Sequence, residues 1–152
     1  MNEESKEILR KNGWYEGRKI NGAEWYQYYE RGGVRVFDTF KKFFEEFGLL
    51  NIKYLTQYGS ETDASIIPTI YIPKSFEGLI YEDEEDILEY QEMSGEELLL
   101  VGIFNFGNIR LFISESGKFY DQYGFIAKNK DELWHCIFND NFPNFIAYEN
   151  LV

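Results

Sequence analysis

The order of hydrophobic periods along this 152-residue chain predicts an α+β fold: one domain, residues 1–152, with a largely antiparallel or mixed sheet flanked by helices. Three observations carry that expectation. Up to Gly48 the bulky residues recur at helical spacing. From Leu98 to Asp121 the period shortens to β-branched and aromatic runs divided by turn residues. A helical pattern, Glu82 to Met93, is interposed among strands without the regular strand–helix alternation of a nucleotide-binding sheet.

Glu3 to Asn12 reads as a short charged helix stopped by Gly13. Arg18-Lys19-Ile20 is a brief extended piece. Asn21-Gly22-Ala23-Glu24 has the spacing of an N-cap with a returning Glu, and opens a second helix with Trp25, Tyr28 and Tyr29 on one face. Gly32-Gly33 ends it. In the third helix Phe37, Phe40, Phe44 and Phe47 form the inner stripe, Lys41, Lys42, Glu45 and Glu46 point outward, and Gly48 closes it. Leu49 to Leu55 and Ser65 to Ile72 are expected as strands, the second at an edge or bulge because Pro68 cannot donate to a ladder. Glu82 to Met93 is the fourth helix, closed by Ser94-Gly95. Leu98 to Phe104, Ile109 to Ser114 and Lys118 to Asp121 follow as strands, with Gly107-Asn108 and Ser116-Gly117 as hairpin turns. Asn129-Lys130-Asp131-Glu132 repeats the N-cap signature and opens a last helix with Leu133, Trp134, Ile137 and Phe138 inward.

Apolar residues make up 44% of the chain, and 14 Phe, 12 Tyr and 3 Trp supply much of that surface, enough for a dense core. No apolar h-region follows the acidic first residues, and the longest greasy run, Leu98 to Phe104, is far short of a membrane span. The single Cys136 excludes an internal disulfide and fits a reducing cytoplasm, the expected location. The net charge of −12 argues against nucleic acid as a ligand. That charge is focal. Residues 1–60 carry ten Lys/Arg against nine Asp/Glu, whereas the ten acids from Glu77 to Glu97 have no base among them. A focal negative field suits a basic partner.

The chemistry of the chain is poor in catalytic patterns. Its one histidine, His135, neighbours Cys136 in a predicted helix, where adjacent side chains point ~100° apart and form no dyad by adjacency. No P-loop, G-x-G-x-x-G after a strand, H-E-x-x-H or G-x-S-x-G occurs. Glu82-Asp83-Glu84-Glu85-Asp86 lacks the alternating ligands and mid-loop glycine of a calcium loop, and zinc spacing is absent, so no metal or cofactor is expected. Two readings of the acidic segment stand side by side: a solvated helix face, or a docking surface formed by Glu82, Asp83, Glu84, Glu85, Asp86, Glu89 and Glu92 with Tyr81 and Tyr90 as aromatic anchors. Tyr90 has the alternative of a core position, three residues from Ile87.

Gly13-Trp14-Tyr15-Glu16-Gly17-Arg18, the bulky segment from Trp25 to Tyr29, and the phenylalanine stripe closing on Phe47-Gly48-Leu49 come in an order that resembles the opening of the third family of the SUKH superfamily. Later segments extend the likeness: Val101-Gly102, the run Leu111 to Tyr120, and Asn129 to Phe138, over about residues 5–140. The chain departs from that pattern at Leu49, where a second glycine often follows Phe-Gly, and in its acidic middle. The resemblance implies an immunity protein that binds and neutralises a cognate polymorphic toxin of bacteria by stoichiometric occlusion, with a nuclease as one candidate and no catalysis of its own. A basic toxin domain would be the protein partner; the oligomeric state is open. The wider superfamily also includes scaffold-like eukaryotic proteins, which supplies the alternative of a non-catalytic regulatory adaptor binding an endogenous basic partner. Trp14, Gly17 and Arg18 read most simply as scaffold: a core indole, a turn glycine and an ion-paired or surface base.

Overall fold

A computed structural model describes residues 1–66 and 84–151. Among these residues the structure is α+β, with five α-helices and one antiparallel sheet. Three helices come first: α1 (Glu3–Lys11), α2 (Ala23–Arg31) and α3 (Asp38–Phe47). The hairpin β1 (Asn51–Leu55) and β2 (Glu61–Ser65) follows, and then α4 (Glu84–Ser94). Strands β3 (Leu98–Phe104), β4 (Ile109–Ser114), β5 (Phe119–Tyr120) and β6 (Gly124–Ala127) lead to α5 (Lys130–Asn139), β7 (Ile146–Ala147) and a 3₁₀ turn, Tyr148–Asn150. Spatial order equals chain order, β1 to β7, and every neighbouring pair is antiparallel.

Helices cover both faces of this sheet, so its central strands lose the alternation of a half-solvated sheet and read as continuous apolar runs. Leu99 and Val101 of β3, with Leu111 and Ile113 of β4, belong to a first core beneath α1, α2, α3 and α5. Leu98 and Leu100, with Phe112 and Tyr120, belong to a second core beneath α4 and the 3₁₀ turn. Aromatic rings fill the first core. Phe43 meets Phe119 at 5.0 Å, Phe47 meets Trp134 at 5.2 Å, and Tyr29 meets Phe40 at 5.5 Å between ring centres. The Tyr29 hydroxyl donates to the Leu100 carbonyl, so a buried polar atom is satisfied where α2 meets the sheet.

Tertiary contacts redraw several boundaries that sequence periodicity places differently. Leu49 lies outside β1, at φ 64, and donates its N–H to the Ile66 carbonyl. The N-cap of α2 is Gly22, not Asn21, although the Asn21 side chain accepts from the Ala23 N–H. Phe37 is the N-cap of α3, and Phe43 joins the buried stripe because it lies three residues from Phe40 and four from Phe47, on the same face of the helix. The second strand ends at Ser65 and begins at Glu61, an unpromising Glu-Thr-Asp-Ala-Ser held by β1 and β3. The expected continuation of that strand to Ile72 lies outside the described residues, as do the first two residues of the expected fourth helix. β3 carries a bulge between Leu100 and Gly102. A Cβ at Gly102 would sit 2.4 Å from the Ser65 carbonyl oxygen, so only glycine lets β2 approach there.

The turn after α1 acts as a clamp on α3. Trp14 is 3% exposed and stacks on Phe47 at 6.5 Å, and its indole Nε1 donates to Glu46. Gly17 takes φ 78 and turns the chain so that Arg18 reaches the end of α3. There the guanidinium donates to the Glu46 carbonyl at 2.7 Å and the Gly48 carbonyl at 2.9 Å. The last turn of α3 has no base of its own, and Arg18 satisfies its orphan carbonyls from outside the helix. Asn12 closes the other side: its side chain donates to the Lys53 carbonyl and accepts from the Lys53 N–H, joining α1 to β1.

Candidate partner-binding surfaces

Helix α4 stands on the second core by its inner face. Ile87 is buried there, and the Tyr90 ring packs edge-on against Phe112 at 5.6 Å and face-on against Tyr148 at 5.0 Å. Gln91 accepts from the Leu98 N–H, which fixes the helix against the start of β3. With these residues turned inward, Asp86, Glu89 and Glu92 are exposed along the outer side, and Leu88, 55% exposed, lies one turn before Glu92. Among the described residues, none of Asp86, Glu89 and Glu92 forms an ion pair. Glu84 and Glu85 belong to the first turn of α4, while Tyr81, Glu82 and Asp83 lie outside the described residues.

Glu96 and Glu97, at the end of the cluster, are engaged within the molecule. Arg35 lies 2.6 Å from Glu97 and 2.8 Å from Glu115, bridging two carboxylates, and its guanidinium is held above its ordinary pKa mainly by hydrogen bonds to Glu115 and Glu97. Glu96 is partly buried, which opposes ionisation, yet hydrogen bonds from Ser116, Tyr120 and Ser114 prevail and hold its carboxyl below the usual range. Of the five acids in this cluster whose side chains are described, Glu96 and Glu97 are thus engaged internally and Asp86, Glu89 and Glu92 face outward on α4.

A second surface lies at the end of the sheet where the β1–β2 and β3–β4 hairpin tips meet the C-terminus of α5. Leu55, Tyr58 and Phe106 are exposed there. Sequence reasoning does not single them out, although an aromatic between Asn105 and Gly107 in a hairpin turn is a readable anomaly. His135 is exposed, with Nδ1 3.2 Å from the Asn2 amide nitrogen and 3.3 Å from that of Asn139. The neighbouring Cys136 is buried, its thiol pushed up to about 11 by burial and then by Glu132. The two residues do not converge, and Cys136 is far from the low-pKa environment of a nucleophilic thiolate. Among the described residues no three His, Cys, Asp or Glu side chains are placed to hold a metal ion, and no helix is long and apolar enough to cross a membrane.

An antiparallel sheet enclosed by helices, with its rings mostly in the cores and exposed carboxylates and a few exposed rings on its outer surfaces, defines an α+β protein whose candidate sites are faces suited to another macromolecule. The SUKH-3 immunity protein family model matches residues 1–140, and the chain belongs to that family. Membership implies an immunity function with a protein toxin as partner. No curated protein and no solved structure matches the chain.

Proposed function

We propose that this protein is a cytoplasmic, non-catalytic bacterial immunity protein, a single domain over residues 1–152, that blocks the basic toxic domain of a cognate polymorphic toxin by stoichiometric occlusion. The observation that carries the choice of surface is the row Asp86, Glu89 and Glu92, exposed and without ion pairs among the described residues. Carboxylates already paired at home, as Glu97 and Glu115 are with the one Arg35 they share, have less field to offer a partner. The α4 row, extended by Tyr81, Glu82, Asp83, Glu84 and Glu85 in the sequence, keeps its field and steers a basic partner over about a Debye length, ~8–10 Å at physiological salt. A nuclease toxin fits this reading because its substrate groove must be basic to hold phosphate. Leu88 supplies apolar area beside the charges, and Tyr90, wedged between Phe112 and Tyr148, fixes the height of the helix.

The test is co-expression with the toxin domain encoded beside this chain, read as survival of the producing cells and as a one-to-one complex by light scattering. Survival with complex formation supports the proposal. Absence of a complex together with loss of viability refutes it.

A further inference from the structure

Between the hairpin tips and the C-terminal end of α5 is a cavity of about 440 Å³, within the range of pockets that hold small ligands or single side chains. Five of its lining residues are aromatic: Tyr54, Tyr58, Phe104, Phe106 and Phe142. Three are acids: Glu61, Asp121 and Asp140. None of its described lining residues is Lys or Arg. A neighbouring cavity, which shares Tyr54, Glu61, Thr62 and Phe106, carries Lys11 and Lys53 on its wall, so the absence of bases is particular to the side lined by Asp121 and Asp140.

We infer that this cavity is a receptor for a cationic side chain, arginine above all, presented by the partner protein; as a toxin contact it deepens the immunity reading and rests on it. Electrostatics, aromatic geometry and backbone cost all point the same way. The last turn of α5 has no basic residue, and Asp140 caps it in the left-handed conformation, so the negative end of the helix dipole and a carboxylate coincide at the rim. Asp121 is 7% exposed, its Oδ1 accepting from the Tyr123 and Gly124 N–H groups, and burial holds its carboxyl above the ordinary value. A cation entering the cavity relieves that penalty.

Aromatic faces around such acids are the environment in which a guanidinium gains both charge-assisted hydrogen bonds and cation–π contact. Thr62 Oγ1, buried and lining the wall, makes no hydrogen bond of ordinary geometry among the described residues, although it is near enough to Tyr54 to act on the phenol's titration. Its hydroxyl, beside the Tyr54 phenol, adds a polar atom to the wall of this acidic, aromatic cavity. Phe106 adds a backbone observation. It stands at φ 54, next to Asn105 at φ 55 and Gly107 at φ 81, and is 66% exposed. A bulky residue in the left-handed region is strained, because its Cβ crowds the following carbonyl oxygen. Asparagine or glycine would hold this turn more cheaply, and an exposed ring gains little from the core in return. The strain therefore serves to place a ring at the mouth of the cavity.

The test uses the full chain, ¹⁵N-labelled, titrated with acetyl-Gly-Arg-Gly-amide and with its citrulline isostere, which keeps shape and loses charge. The arginine peptide should produce saturable amide shifts at Tyr54, Thr62, Phe106, Asp121 and Asp140, binding about tenfold tighter than the citrulline peptide, the ratio expected when ~1.4 kcal/mol of charge and π contact is removed. Phe106→Asn and Asp140→Asn should each weaken the arginine peptide at least about threefold on the same scale. Phe106→Asn relieves backbone strain, so its melting temperature stays level or rises, and lost binding cannot be assigned to unfolding. Equal shifts with citrulline, shifts elsewhere on the chain, or full affinity in both variants overturn the assignment. A chain that protects cells from its toxin but ignores the arginine peptide refutes the cavity alone. One that takes the peptide but neither binds nor resists the toxin refutes the immunity reading alone.

Discussion

On one face of the sheet, α1, α2, α3 and α5 enclose a core with two groups of touching rings, Phe40 with Phe44 and Phe43 with Phe47, Phe119 and Trp134. On the other, among the described residues, α4 and a 3₁₀ turn cover a smaller patch around Ile87, Leu100, Phe112 and Tyr148. The first face has its polar ends tied by Arg18, Trp14 and Asn12. The second, among the described residues, relies on fewer side chains: its rings, the Gln91 bond to β3, and the Tyr120 and Tyr148 hydroxyls, which donate to Glu96 and to the Asp121 carbonyl. Local opening costs less where fewer apolar contacts must be broken, so the face that carries the candidate partner helix is the softer one. A scaffold that keeps rigidity on one side and a chargeable helix on the other can vary the helix without endangering the fold.

The largest effect that would test this asymmetry is Trp14→Ala. Removing the buried indole, with its stack on Phe47 and its hydrogen bond to Glu46, should cost ~3–5 kcal/mol, read by urea denaturation at pH 7. An unchanged midpoint accompanied by loss of toxin binding would instead make Trp14 a contact residue. Ile87→Ala in the smaller core should cost about 2 kcal/mol, and hydrogen exchange should localise the loss of protection to α4, leaving α3 and α5 nearly unaffected. Global loss of protection in that variant would show the two cores to be one cooperative unit.

Leu49→Gly should act in the opposite direction. At φ 64 and half exposed, Leu49 carries a left-handed penalty of ~1 kcal/mol that glycine escapes, although glycine's greater freedom when unfolded offsets part of it. The expected gain of about 2–4 °C per kcal/mol retained is measurable by calorimetry. A fall in melting temperature would mean that the Leu49 side chain has apolar partners worth more than the backbone strain. The smallest change in stability, within about 0.5 kcal/mol, should follow the triple substitution Asp86→Lys, Glu89→Lys and Glu92→Lys, because the positions are exposed and form no ion pairs among the described residues. Its effect on association should be large: slower binding of the toxin domain and a flatter dependence of the rate on ionic strength. An unchanged rate and salt slope in a folded variant would make α4 a solvated face.

Much of the architecture was legible in the chain, and the failures have specific causes. The α+β order, the α3 stripe and the N-cap at Asn129, whose side chain accepts from the Glu132 N–H, follow from local spacing because capping and amphipathicity act within one or two turns. Strands β6 and β7 escape such reading: Gly-Phe-Ile-Ala and Ile-Ala are too short to show a period and exist because they pair with each other. The same holds for Glu61–Ser65, whose composition disfavours a strand and whose neighbours impose one.

For the candidate surfaces the division is sharper. Sequence alone determined where negative charge accumulates, since charge is a property of composition, and it determined the segment order by which the family is recognised. It could not determine which of those acids remain available. Arg35 reaches Glu97 and Glu115 across 62 and 80 positions of chain, and Glu96 meets Ser116 and Tyr120 from the next hairpin. Nor could it assemble the strand-end cavity, whose walls come from β1, β2, β3, β4, three turns and the end of α5 with the residues just after it. Periodicity and capping are near-neighbour properties; charge neutralisation and cavities depend on which distant segments the fold brings within a few ångströms, and only the tertiary structure decides that.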